Sequence, residues 1–190
     1  MRSLALAVVL LAAISSVNVP KAVAATTTSW IQPGYVFYYE VYVIKGQNPQ
    51  KVGFMQWSIV SVEGDVVTLE LKSDVLKNFN GQVKVSRNGE IKPGVLLGFW
   101  LPEGFTEGEL NIAGYRAVAK VTQQQVQGKT VEFILAQAVE EPRVYMWLFH
   151  IQFGVLVQFL VFNKQTNEGA AWVLANVQQP SGGAGGGGGT

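Results

Sequence analysis

Between Val144 and Phe162 the polar residues and the one glycine all fall on even positions, and this parity constrains the chain more than any other feature. His150, Gln152, Gly154 and Gln158 are even; Phe149, Ile151, Phe153, Val155, Val157, Phe159 and Val161 are odd. A period of two belongs to a strand, whereas a helix with 3.6 residues per turn would scatter those polar groups around its circumference. Length alone would allow a membrane-spanning helix, which needs about 20 apolar residues. The parity instead predicts two strands meeting near Gly154, or one long bent strand.

The same alternation runs through the rest of the chain. Tyr35, Phe37, Tyr39, Val41 and Val43 share one face with Glu40 opposite, and a turn at Gly46–Pro49 leads into Phe54 to Val62, where Met55, Trp57 and Ile59 share a side. Glu63-Gly64-Asp65 reverses the chain into Val67–Leu71, a compact hairpin signal. Ser73 to Asn80 is irregular. Val83 and Val85 precede Asn88-Gly89, a dipeptide suited to the positive φ angles of a tight hairpin, with Ile91 starting the return strand. Pro93-Gly94 and Pro102-Glu103-Gly104 bracket the apolar patch Val95 to Leu101; because proline interrupts ladders, this patch is expected to be a loop or edge lying over the sheet, mobile or acting as a lid. Glycine-punctuated arms follow at Leu110–Ile112, Tyr115 to Gln124 and Thr130–Glu140, and Lys164 to Gly169 turns the chain into Ala170–Val177. The expectation is an all-β protein, an antiparallel meander of roughly nine or ten strands forming a curled sheet or open half-barrel, in one domain over residues 25–178.

Residues 1–24 have the order of an export signal: Arg2, the apolar run Leu4 to Ile14, then Ser15-Ser16 and the small-x-small triplet Ala22-Val23-Ala24. Cleavage after Ala24 is expected, since the run is too short for a bilayer anchor. The location implied is extracellular or in the cell envelope. At the other end, residues 179–190 form a glycine-rich low-complexity tail, expected to be disordered. Two of the 14 basic side chains, Arg2 and Lys21, lie in the leader, so the remainder is close to neutral against 13 acidic ones. Nothing in that balance supplies the clustered positive charge a nucleic-acid partner requires. With no cysteine, the chain has neither disulfide nor thiolate metal site.

Catalytic and metal-ligating constellations are absent from the sequence. His150 is the sole imidazole and has no Ser-His-Asp arrangement around it. One histidine without cysteine cannot complete a zinc site. Asp65 and Asp74 fit no calcium loop, and Glu103, Glu107 and Glu109 read as a solvated rim rather than the paired carboxylates of a glycosidase. No phosphate-cradling loop occurs. The protein is therefore expected to be non-enzymatic, with no cofactor, metal or catalytic residue.

Aromatic residues carry the functional reading. Trp57, Phe99, Trp100, Trp147, Phe149 and Phe153 are the candidate ligand-binding set, placed on the apolar face of a concave sheet and covered by Val95 to Leu101; the competing reading is plain core packing. The closing hairpin Phe159-Leu160-Val161-Phe162-Asn163-Lys164-Gln165-Thr166-Asn167-Glu168-Gly169, with Ala170-Ala171-Trp172-Val173-Leu174 after it, resembles a strand-turn-strand of secreted archaeal β-sheet proteins. Its rhythm, over roughly residues 30 to 178, is also similar to the open half-barrels of periplasmic lipoprotein carriers and their lipid-binding relatives. That resemblance implies carriage of a lipid on the concave face, without cofactor or covalent chemistry. Such carriers have long helices across that face, and none is predicted here. The alternative is a structural subunit of a surface layer or filament, self-associating or pairing with an envelope protein through edge strands.

Overall fold

The computed structural model describes residues 26–46 and 48–180; the expected leader and the tail beyond Pro180 lie outside the described residues. Twelve strands are present among the described residues: β1 (Val36–Lys45), β2 (Asn48–Glu63), β3 (Val66–Ser73), β4 (Gly81–Ser86), β5 (Glu90–Lys92), β6 (Val95–Leu96), β7 (Gly108–Ile112), β8 (Tyr115–Val126), β9 (Lys129–Glu140), β10 (Arg143–His150), β11 (Leu156–Asn163) and β12 (Glu168–Gln178). They exceed the expected nine or ten because residues 81–112 divide into short pieces. A single 3-10 turn, Lys77–Phe79, joins β3 to β4. No helix among the described residues is long and apolar enough to cross a membrane.

All twelve belong to one sheet in the order β4-β3-β2-β1-β12-β11-β10-β9-β8-β7-β6-β5. Every pairing is antiparallel except a single parallel bridge, Leu96 to Ile112, between β6 and β7. The first and last strands meet in mid-sheet, from Val36 opposite Gln178 to Lys45 opposite Glu168. The two edges, β4 and β5, are consecutive in sequence. The sheet is thus an antiparallel meander curled almost into a barrel, with its seam between these edges. Register shifts at Tyr38/Tyr39, Val41/Tyr42, Ile59/Ser61 and Leu148/Phe149 mark bulges, which sharpen the local twist and help the sheet wrap.

Turn chemistry follows the sequence at most corners. Ala113-Gly114 and Gln127-Gly128 both have positive φ at both positions, the geometry that matches strand twist in two-residue hairpins. The parity near Gly154 resolves into two strands: Gly154 donates to the His150 carbonyl at 2.8 Å and accepts from the Leu101 amide at 2.9 Å. A Cβ there would stand 2.7 Å from Thr26 Cγ2, and φ is +61°, so only glycine fits.

Asn88-Gly89 departs from expectation. The turn exists, with the Gly89 amide donating to the Ser86 carbonyl at 2.9 Å, but β4 and β5 do not pair. Trp100 is the reason. Its indole Nε1 donates to the Arg87 carbonyl at 3.0 Å and its own carbonyl lies against Gly89, while Leu97 donates to Gly89. The chain after the turn is drawn inward, and β5 pairs with β6 across Pro93-Gly94 instead.

One large core fills the concave side. Residues as distant in the sheet as Val85 on β4, Trp57 on β2, Ile112 on β7 and Trp147 on β10 belong to it. The convex side carries two smaller clusters: Ile44, Leu160, Ala171 and Val173 in one, Phe133, Leu148 and Val157 in the other.

Candidate functional site: the aromatic concave face

Alternation turns the odd-numbered residues of β1 and β2 inward, and there the rings assemble around Trp57. Phe37 stacks on Trp57 with centroids 3.9 Å apart, Phe99 stacks on its other side at 5.1 Å, and Trp100 lies at 5.7 Å. Trp30 closes the group against Trp100 at 5.9 Å and anchors by donating its Nε1 to the Phe153 carbonyl at 3.0 Å. Phe99, Trp100 and Leu101 are 6%, 1% and 0% exposed, so the bracketed patch is a plug embedded in the concave side rather than a lid above an open one. Backbone bonds fix it: Leu156 donates to the Phe99 carbonyl at 2.8 Å and Leu101 donates to Gly154. Gly98, with φ +98°, lets the plug pass between strands, since a Cβ there would be 2.8 Å from Ile112 Cγ2 and 3.5 Å from Trp147 Nε1.

Beyond Gly98 the concave side continues as an aromatic ladder over β12, β11 and β10. Trp172 packs on Phe159 at 5.1 Å, Phe159 on Trp147 at 5.1 Å, and Trp147 neighbours Tyr145 at 6.1 Å. Cross-strand pairing sets this sequence, with Phe159 opposite both Trp172 and Trp147. Tyr115 of β8 completes the row, stacked on Tyr145 at 4.1 Å. The neighbouring Tyr145 phenol holds the Tyr115 hydroxyl above its usual pKa. Trp172, Phe159 and Tyr115 are only partly buried, whereas the alanines beside the row, Ala117, Ala119, Ala136 and Ala138, are buried. The Trp172 Nε1 is buried without a hydrogen-bond partner.

Of the six residues selected from sequence, Trp57, Phe99 and Trp100 come together in the central stack and Trp147 sits in the ladder. Phe149 is fully buried beside Leu156, a core position. Phe153 lies in the β10–β11 connection, its ring 5.2 Å from His150. Sequence reading left Tyr115, Tyr145, Phe159 and Trp172 out of the set; their signal lies in strand register.

The polar residues weighed for chemistry are dispersed. His150 is mostly buried, its pKa pushed down to about 4 by desolvation, and its Nδ1 accepts from the Gln152 amide at 3.2 Å. Glu103 accepts from the Thr28 hydroxyl at 2.9 Å, and Glu109 pairs with Arg116 at 2.7 Å on the surface. Among the described residues no group of three or more His, Cys, Asp or Glu could hold a metal. A shallow groove lies outside the ladder, lined by Val75 to Phe79, and Phe79 reaches the central stack edge-on to Phe99 at 6.3 Å.

No protein-family model matches the chain, and no curated protein matches it. Among solved structures, the chain is similar to MucB at 10% identity and TM-score 0.38, over 80% of this chain and 56% of MucB, so it spans little more than half of that protein. It is also similar to a putative outer membrane lipoprotein-sorting protein domain from Vibrio parahaemolyticus, at 12% identity and TM-score 0.29, over 78% of this chain and 86% of that domain. With TM-scores below 0.5, neither likeness fixes what this chain does.

Proposed function

We propose that the chain is an exported, non-catalytic protein of the cell envelope whose concave aromatic ladder holds an apolar chain such as an acyl group. The observation that carries this reading is the row Trp172, Phe159, Trp147, Tyr145, Tyr115, continuous by ring contact and incompletely covered at three of its five members. Core packing alone does not require a continuous stripe of large rings with exposed surface, whereas an apolar ligand does. The Tyr115–Tyr145 hydroxyl pair gives one end a polar tip, so an amphiphile would lie with its tail toward Trp172 and its polar group at the tyrosines. Trp57, Phe99 and Trp100 support this site as its wall instead of lining it. The desolvated His150 supports a non-catalytic reading, because among the described residues no carboxylate orients its ring.

Fluorescence titration with a fatty-acid probe tests the proposal: saturable binding should weaken about tenfold or more in a Trp172→Ala/Phe159→Ala variant, the cost of losing two ring contacts. A second reading, assembly through edge strands, is favoured by β4, whose outer edge ends the sheet. Concentration-dependent polymers abolished by a proline in β4, with no probe bound by monomer, would favour it over the ligand reading.

A further inference from the structure

β8 and β9 outrun their neighbours. β7 pairs with β8 only from Tyr115 to Ala119, and β10 pairs with β9 only from Glu140 to Phe133, so residues 120–132 extend past the sheet as a two-stranded arm. A ribbon of two strands is marginal by itself and gains from a third. At a two-residue turn with positive φ at both positions the flanking pair is hydrogen-bonded, and so is every second pair after it. Counted from Val126 opposite Lys129, the amides and carbonyls of Gln124, Thr122 and Lys120 face β9, and those of Gln125, Gln123 and Val121 face outward. The same count from Ile112 opposite Tyr115 gives the outward groups of Ala117 and Ala119 to β7, which ends with Gly108 opposite Ala119. Among the described residues no strand takes up the outward groups of Val121, Gln123 and Gln125. Little protects this edge: residues 120–126 contain no proline or glycine, the pairing with β9 has no register shift, and the one charge, Lys120, lies at the base. Val118 and Val121 beside it are 46% and 41% exposed.

We propose that this edge pairs with the same edge of a second copy of the chain, antiparallel about a two-fold axis at Gln123. Symmetry selects that occupant. The outward residues 121, 123 and 125 are arranged evenly about position 123, so Gln123 meets its own counterpart and Val121 meets Gln125 of the second copy, each exchanging a donor and an acceptor. Glutamine is its own complement, since its amide both donates and accepts. The Gln123 amide is already ordered, donating to Glu132 at 3.1 Å across the arm, and Gln125 donates to the Thr130 hydroxyl at 2.8 Å. Charge agrees with symmetry: the register sets Lys120 opposite Val126, so no like charges meet, whereas a charged foreign strand would find one cation at one end. The outer edge of β4, by contrast, carries Lys84 in mid-strand. Where the turn of the second copy arrives, Gly108 bends the chain at φ +131° and an added Cβ would meet nothing within 4 Å. A two-fold axis closes the assembly, giving dimers rather than polymers. The arm shares no residue with the aromatic ladder, so the inference stands or falls separately from the ligand reading.

The chain has no cysteine, so single cysteines read the register directly. Across an antiparallel hydrogen-bonded pair the Cα atoms lie about 5.5 Å apart, within reach of a disulfide. Copper-phenanthroline oxidation of purified Gln123→Cys should therefore give a disulfide-linked dimer. Gln125→Cys, whose two copies the register holds roughly 14 Å apart, should stay unlinked. Gln123→Lys sets two like charges face to face on the axis and should weaken the monomer–dimer equilibrium several-fold in sedimentation velocity, with circular dichroism unchanged. Wild-type protein that remains monomeric up to millimolar concentration, equal linkage of the two cysteine variants, no linkage of folded Gln123→Cys, or linkage into species larger than dimers would overturn the inference.

Discussion

The rings of Trp57 and Phe99 stack with centroids 5.1 Å apart and planes inclined by 5°, joining the centre of β2 to a segment that belongs to no long strand. This contact converts an irregular proline-bracketed stretch into the filling of one half of the concave side, beside the aromatic ladder. Phe99→Ala should therefore lower stability by about 3–5 kcal/mol, the usual loss for a buried ring that leaves a cavity. Phe159→Ala, at a partly exposed ladder position, should lose less. Urea denaturation of the two variants side by side checks the order.

Gly98→Val should be strongly destabilising, because a side chain at φ +98° is strained and its Cβ would meet Ile112 at 2.8 Å. A loss of about 2–4 kcal/mol is expected from strain and overpacking together. The same denaturation curves, with near-ultraviolet circular dichroism reporting the tryptophan environment, measure it.

Tyr39 is fully buried, and its hydroxyl donates to the Leu156 carbonyl at 2.7 Å, linking β1 to the start of β11. Burial also drives its pKa upward, so the hydroxyl stays protonated and able to donate. Tyr39→Phe orphans that carbonyl and should cost about 1–3 kcal/mol without changing the fold. Chemical denaturation with an unchanged far-ultraviolet spectrum is the expected result.

Acid should destabilise the domain through His150. Its folded pKa is about 4, below the unfolded value of about 6.5, so between those limits the unfolded chain binds a proton that the folded chain refuses. Stability is fully present above about pH 6.5 and declines as the pH falls toward about 4. Partial exposure of the ring reduces the effect to about 1–3 kcal/mol. Protonation would also remove the Nδ1 acceptor used by Gln152. His150→Gln, which cannot titrate, should flatten the slope of melting temperature against pH over that window.

Much of the architecture was legible because it is written locally. Parity marks residues 144–162 as strand, leaving open two strands meeting near Gly154 or one bent strand, and Gly64, Gly114 and Gly128 announce three hairpins at their own positions. What is written non-locally was not legible. Asn88-Gly89 carries the residues of a hairpin, yet Trp100, packed beneath the turn, redirects the following strand. The ladder depends on register between strands: Phe159 is 13 residues from Trp172 and 12 from Trp147, and only the pairing shows that both lie beside it. Tyr115 meets Tyr145 across β9, where Ala138 opposite Tyr145 leaves room for the rings to stack. The selection from sequence by ring size therefore reached the central stack around Trp57 more readily than the partly buried row.

The most direct test of the account is native mass spectrometry of the purified protein after incubation with a lysophospholipid, comparing wild type with Trp172→Ala/Phe159→Ala. The account predicts a one-to-one complex with the wild type and its loss in the variant, both proteins remaining folded. Equal complex formation by the two proteins, or no complex with the folded wild type, would contradict it.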